Sequence, residues 1–471
     1  MIFISLEFAL FLLVVICLLY FVHSVDYQNI ILFIASIYFY ARSDWRFLFL
    51  VLFETLIVYL LALRIDQVEK MRSKKIYLVI GIAILLIILA LYKYFNFFVG
   101  SICTLFNVSN TGMLEIILPL GISFYTFQGL SMLIDVYLGK VIAEKKFVNV
   151  SLCIAFFPQI TSGPIVQAKN MLPQLQISHK ITCSNLQEGL QIIMVGVLKK
   201  KVIADRLAIA VNAVYEAPIA YSGISLIFIK LTYSIQIYCD FSGYSDIAIG
   251  IGRLLGFDLG RNFNLPYLSR NTSEFWRRWH ISLSTWFKDY VYIPLGGSKK
   301  GNLRTYCNLF ITMLLSGLWH GAGWQYILWG GMYGICNSLQ KVNIDLKKKI
   351  HRQAVRNNSL LVRIVETFTN FIVVSLLWVF FRASSIENAL LILKRIFTLA
   401  PGVTYIYTYT IIWGIILFVF EIYTYYKNNG NDRYYILKMD KFVNKVILLV
   451  IILFIICFSY IGNNTFIYAQ Y

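Results

Sequence analysis

Charged side chains are scarce in this chain: they make up 14% of its 471 residues, against about a quarter in an ordinary soluble domain. That shortage, together with 59% hydrophobic residues and a mean hydropathy of +0.70, excludes a water-soluble globule and leaves a multi-pass membrane protein. Cysteine numbers 8, but no two form a Cys-x-x-Cys pair, and Cys17, Cys239 and Cys457 sit inside apolar runs. Neither a disulfide framework nor a zinc site is indicated, and packing is the expected role of the cysteines. Histidine numbers only 5, so each one is conspicuous as a group that changes charge near neutral pH. Acidic residues are outnumbered, 23 against 42 Lys plus Arg, for a net charge of +19. In a soluble protein that excess would suggest nucleic acid. Here the basic residues cluster between apolar runs, where they set orientation in a bilayer, and no nucleic-acid partner is expected.

What is present is an all-α pattern. Apolar runs recur along the whole chain, and the 16% aromatic content suits interfacial belts. The first run, Ile2–Val22, lacks a charged leading segment and a small-residue cleavage site, so it is expected to be a retained membrane helix. Several later runs fall short of the roughly 20 residues a crossing needs. Among them are Asn29–Tyr40, Val150–Ile160, Leu186–Leu198 and Asp246–Phe257. These predict broken, re-entrant or interfacial helices within one helical bundle, a single membrane domain over residues 1–471. Within it, 1–140 reads as N-terminal helices, 141–340 as the core, and 341–471 as C-terminal helices with an aromatic tail. The basic stretches Arg64–Lys75, Lys199–Lys201, Lys299–Arg304, Lys341–Arg363 and Lys427–Lys445 are assigned to cytoplasmic loops, which puts both termini outside the cytoplasm.

Polar chemistry concentrates between Asn271 and Trp324, which holds two of the histidines. Over Ser273–Tyr290, Phe275, Trp276, Trp279, Leu283, Trp286 and Phe287 recur at helical spacing, predicting one amphipathic helix at the membrane interface. His280 adjoins that stripe, either as an interfacial packing residue or as part of a reaction site. Arg277 and Arg278 suit a diphosphate or lipid headgroups. His320 follows Trp319 and precedes Gly321-Ala322-Gly323, small residues that let helices and a ligand approach closely. The two histidines are forty positions apart with no carboxylate or cysteine at ligand spacing, so no metal site is expected. Upstream, Asp240-Phe241-Ser242-Gly243-Tyr244-Ser245-Asp246 places polar groups and a glycine between two apolar runs, which predicts a helix break lining a cavity. Asp240 or Asp246 would there orient a histidine or a substrate, or else simply cap a helix end.

The blocks Arg277-Arg278-Trp279-His280-Ile281-Ser282-Leu283-Ser284, Tyr292-Ile293-Pro294-Leu295-Gly296-Gly297 and Leu318-Trp319-His320-Gly321 resemble the membrane-bound O-acyltransferase (MBOAT) family. With Asp240–Asp246 and the C-terminal Phe466-Ile467-Tyr468, the resemblance is to its alginate and peptidoglycan O-acetyltransferase branch. It implies a helical bundle around a central tunnel in a bacterial cytoplasmic membrane. It also implies a thioester donor, acetyl-CoA, with no bound cofactor, an extracytoplasmic acetyltransferase partner protein, and a glycan acceptor. His320 matches the family's catalytic histidine, a general base suited by a reference pKa of about 6.5. His280 would line the passage with Asp240, Ser242, Tyr244, Asp246, Arg277, Arg278, Trp279 and Trp319. Tyr468 would take up the acyl group and relay it outward, unless it is a plain interfacial anchor. D-alanyl transfer to teichoic acid, or a non-enzymatic polysaccharide transporter or scaffold, are the rival readings.

Overall fold

The structure, a computed structural model, describes residues 1, 3–108, 113–161, 163–350, 359–427, 436–438, 441–460 and 462. Among these residues there are nineteen α-helices and no β-strand, only an isolated bridge between Tyr221 and Val403. The chain divides into two compact units.

The first unit comprises Met1–Val195 with Tyr244–Gly260. It contains α1 (Leu6–Phe21), α2 (Val25–Asp44), α3 (Leu48–Gln67), α4 (Met71–Leu89), α5 (Phe95–Phe106), α6 (Ile122–Tyr137), α7 (Phe147–Ala155), α8 (Ala168–Leu175) and most of α9 (Cys183–Val197). Ser5 starts α1 by accepting the Phe8 N–H at 3.1 Å. α6 is the buried centre, flanked by α3 and α4. The approach of α3 requires Gly129, where an added Cβ would lie 2.9 Å from Val58. The outer faces are as apolar as the core: Leu10, Leu13 and Val14 of α1 are exposed, as lipid-facing residues are.

The second unit comprises Gly196–Gly243 with Arg261–Tyr471. Its helices are α10 (Asp205–Glu216), the first part of α11 (Gly223–Leu254), α12 (Thr272–Arg278), α13 (Ile281–Phe287), α14 (Asn302–His320), α15 (Trp324–Ile350), α16 (Leu360–Arg382), α17 (Ile386–Phe397), α18 (Thr408–Lys427) and α19 (Phe442–Phe458). α14 and α15 form a hairpin in which glycine meets glycine. A Cβ on Gly330 would lie 2.4 Å from the Met313 carbonyl oxygen, and one on Gly317 2.3 Å from that of Tyr326. Among the described residues, four helical stretches are long and apolar enough to cross a bilayer: Val25–Gln67, Met71–Phe106, Gly223–Leu254 and Leu360–Arg382. This is a multi-pass membrane protein.

Three sequence expectations are corrected. The break expected at Asp240–Asp246 does not exist, because α11 runs unbroken through it. Gly243 instead admits a neighbouring backbone: a Cβ there would lie 2.8 Å from the Gly196 carbonyl oxygen and 3.0 Å from the Lys200 nitrogen. Lys199–Lys201 is not a loop but part of a π-helical turn, Leu198–Ala204, with Lys199 and Lys200 buried. Ser273–Tyr290 is not one interfacial helix. It breaks at Trp279 and His280, and its aromatic residues are buried.

Candidate functional site

α12 begins with Asn271, whose Oδ1 accepts the Glu274 N–H at 2.9 Å, a local N-cap. It ends at Trp279, which is extended, and His280 follows in the left-handed region at φ 43° and ψ 56°. A non-glycine residue there costs on the order of 1 kcal/mol or more, and is kept only where surrounding contacts over-determine it. They do so here. The Asn262 carbonyl accepts the Ile281 N–H at 2.9 Å, and the Arg278 carbonyl accepts the Asn264 N–H at 2.8 Å, so the loop after α11 clamps both sides of the turn.

The turn carries His280 into the interior of the second unit, where it meets His320 at the end of α14; the two imidazole centroids are 6.4 Å apart. Both rings are essentially without solvent exposure, at 0% and 1%. Phe241 of α11 meets His280 edge-on at 4.6 Å, and Trp319 lies 5.9 Å from it. Around His320 stand Trp319 at 5.1 Å, Trp329 at 5.1 Å and Phe381 at 5.5 Å. Trp378 connects this set to Trp279 at 4.9 Å and to Trp329 at 5.6 Å. The box offers hydrogen-bond donors: the indole N–H groups of Trp276, Trp279, Trp329 and Trp378 are buried and meet no acceptor among the described residues. Each such orphan costs about 1–3 kcal/mol unless a ligand or water accepts from it. Burial pulls the His280 imidazole below the ordinary histidine range, so it is neutral.

The other sequence candidates are distributed unevenly. Trp279 and Trp319 belong to the box. Asp240 forms a buried ion pair with Lys200, which also holds Asp205 at 2.9 Å, while Lys201 reaches Asp205 at 3.3 Å. Burial works against the Lys200 ammonium, and Asp240 and Asp205 more than offset it, so its pKa ends above the usual lysine value. Ser242 is fully buried in the second unit, and its hydroxyl has no hydrogen-bond partner among the described residues. Tyr244 and Asp246 fall in the first unit, Tyr244 with its ring 5.8 Å from Phe3. Arg278 is engaged by Glu274 at 2.9 Å, and a diphosphate would have to compete for it; Arg277 is exposed on the same short helix. Tyr468 and the tail Phe466–Tyr471 lie outside the described residues.

Sequence reasoning missed Asn262 and the ionic cluster. Asn262 carries no motif; its only sign is a polar loop, Gly260-Arg261-Asn262-Phe263-Asn264, directly after a long apolar helix. Lys201 and Asp205 did carry one, since they stand four apart on either side of Val202-Ile203-Ala204, a spacing that pairs charges on one helical face.

The sequence profile of the membrane-bound O-acyltransferase family matches residues 146–382, which contain every element of the box. The chain is 38% identical over 379 residues to the probable alginate O-acetylase AlgI of Pseudomonas aeruginosa, covering 79% of this chain and 70% of that protein. It is 35% identical over 387 residues to the peptidoglycan O-acetyltransferase of Helicobacter pylori, covering 77% and 72%. Similarity to the teichoic acid D-alanyltransferase of Streptococcus thermophilus is 31% over 246 residues, covering 50% and 59%.

Proposed function

Because this chain belongs to the membrane-bound O-acyltransferase family and is an acyltransferase, we propose that it moves acetyl groups from cytoplasmic acetyl-CoA for O-acetylation of a polysaccharide outside a bacterial cytoplasmic membrane. The observation that carries this reading is the pairing of His280 and His320, forty positions apart in sequence, at 6.4 Å inside a buried aromatic box. A hydroxyl oxygen attacks the thioester carbonyl while its proton passes to the His320 imidazole. Collapse of the tetrahedral adduct breaks the C–S bond, and the imidazolium returns the proton to the departing thiolate. The indole N–H groups around His320 are suited to the oxyanion, because donors already in place in a water-poor site need no reorganisation.

In this reading the basic segments face the cytoplasm, both termini lie outside, and a passage leads through the histidine pair. Tyr468 takes the acyl group as a phenyl ester, which is more reactive than an alkyl ester, and hands it to an extracytoplasmic acetyltransferase partner and thence to the glycan. The acetyl branch is favoured over D-alanyl transfer by the extent of similarity, 79% of this chain against 50%. His320→Ala should abolish glycan acetylation in cells while membrane insertion and expression persist; unchanged acetylation refutes the assignment. Labelled acetate appearing in the glycan, and labelled D-alanine not appearing, separates the two acyl groups.

A further inference from the structure

Asn262 is fully buried beside the left-handed turn, and its side-chain oxygen collects three contacts: His280 Nδ1 at 3.2 Å, the Ser282 backbone nitrogen at 3.2 Å and Ser282 Oγ at 2.9 Å. These contacts fix more than a position. A backbone N–H can only donate, so the Asn262 atom facing Ser282 must be the amide oxygen, and the flipped amide would set donor against donor. That oxygen can only accept, so the His280 nitrogen on it must carry a hydrogen. A neutral imidazole protonated at Nδ1 has its lone pair on Nε2. Phe241, Phe263, Trp319 and His320 surround the ring.

We propose that Asn262 is a positioning residue that locks His280 in the Nδ1–H tautomer, so that His280 presents a hydrogen-bond acceptor to the reaction site. The consequence is a division of labour. An acceptor nitrogen belongs on the side of the hydroxyl-bearing substrate, where it takes a hydrogen bond from a donor other than the attacking O–H, whose proton passes to His320; it is unsuited to the thioester carbonyl oxygen, which requires donors. Ser282 shares the Asn262 oxygen through both its N–H and its hydroxyl, and so holds the amide against rotation. The hydrogen on Nδ1 stands on geometry and the neutrality of the ring on its complete burial; its use on the hydroxyl substrate rests on the acyltransfer reading above.

The two are separable by experiment. The full chain, labelled with 15N-histidine and placed in lipid bilayers, contains 5 histidines, and the His280 resonances are those lost in His280→Gln. Nδ1 is expected to be protonated and Nε2 unprotonated at neutral pH; an Nε2–H tautomer or an imidazolium overturns the proposal. In Asn262→Ala the tautomer should become mixed, and acyl transfer to a hydroxyl acceptor, read as thiol release from acetyl-CoA, should lose about 10-fold to 100-fold in kcat with little change in the KM for acetyl-CoA. Asn262→Asp retains the accepting oxygen but adds a charge that favours imidazolium, so the His280 titration and the acid limb of the pH–rate profile should rise together. A purely structural asparagine would lower the yield of folded protein and leave the pH profile unmoved, which refutes the positioning role. If the His280 titration rises while the acid limb stays, the tautomer lock holds and the use of His280 on the hydroxyl fails. If His280→Gln itself leaves turnover intact, the reaction-site reading fails with the tautomer still measured.

Discussion

Replacing Lys200 with methionine tests whether the second unit is tied together by its buried charges. Lys200, Asp205 and Asp240 are each under 5% exposed at the side chain, and Lys201 is 21% exposed. Two lysines, Lys200 and Lys201, face two aspartates in these contacts. Methionine matches the lysine stem, so the substitution removes charge with little change in packing. At 2.9 Å and an effective dielectric near 20, the Asp205 contact alone is worth about 6 kcal/mol of Coulomb energy. Several kcal/mol of that is offset by hydration that the lysine gives up and methionine does not. Breaking a buried pair from one side leaves roughly 3–5 kcal/mol of destabilisation. Thermal unfolding of detergent-solubilised protein, followed by fluorescence-detected size exclusion, should show a large downward shift for Lys200→Met. Lys200→Met with Asp240→Asn should recover much of it, because the second change removes the carboxylate that lost its counter-charge. Activity should follow stability, since Phe241, next to Asp240, contacts His280 at 4.6 Å. A single variant as stable as the parent, or a double variant less stable than the single, refutes the ionic tie.

The same cluster shows how far composition carries and where it stops. An all-α membrane protein was legible at once, because long apolar runs need no tertiary information to be read. Four residues of the candidate site were legible too: His280, His320, Trp279 and Trp319 stand in local motifs, and the fold brings all four into one box. Their distance was not, because it depends on the α14–α15 hairpin and on the loop of Asn262. Lys199–Lys201 looked like a loop because a run of three lysines is ordinarily solvated, and only tertiary structure adds Asp240, forty positions from Lys200. Helical periodicity ran straight across His280 because a left-handed backbone at a non-glycine residue leaves no mark in composition. The glycine at 243 was read as a break when it is a close approach; the two uses differ only in what lies opposite.

Two further outcomes follow from the packing of the box. Gly330→Ala puts a Cβ 2.4 Å from the Met313 carbonyl oxygen and 2.9 Å from the Gly317 Cα, so α14 and α15 must separate. The cost should be about 1–3 kcal/mol, and turnover should fall as His320 moves relative to Trp329; wild-type stability and turnover would show that the hairpin yields freely. Trp329→Phe separates stability from activity in the opposite sense. The indole N–H of Trp329 is buried with no acceptor among the described residues, and its ring is 5.1 Å from the ring of His320. Deleting an unsatisfied donor relieves about 1–3 kcal/mol, which offsets much of the cavity left by the smaller ring, so thermal stability should change little. If that N–H serves the oxyanion, kcat should fall about 100-fold, the usual loss for one such donor. Stability and turnover that decline in proportion would mean Trp329 only packs. Unchanged turnover in a folded protein would remove the indole from the chemistry and leave the oxyanion to other donors of the box.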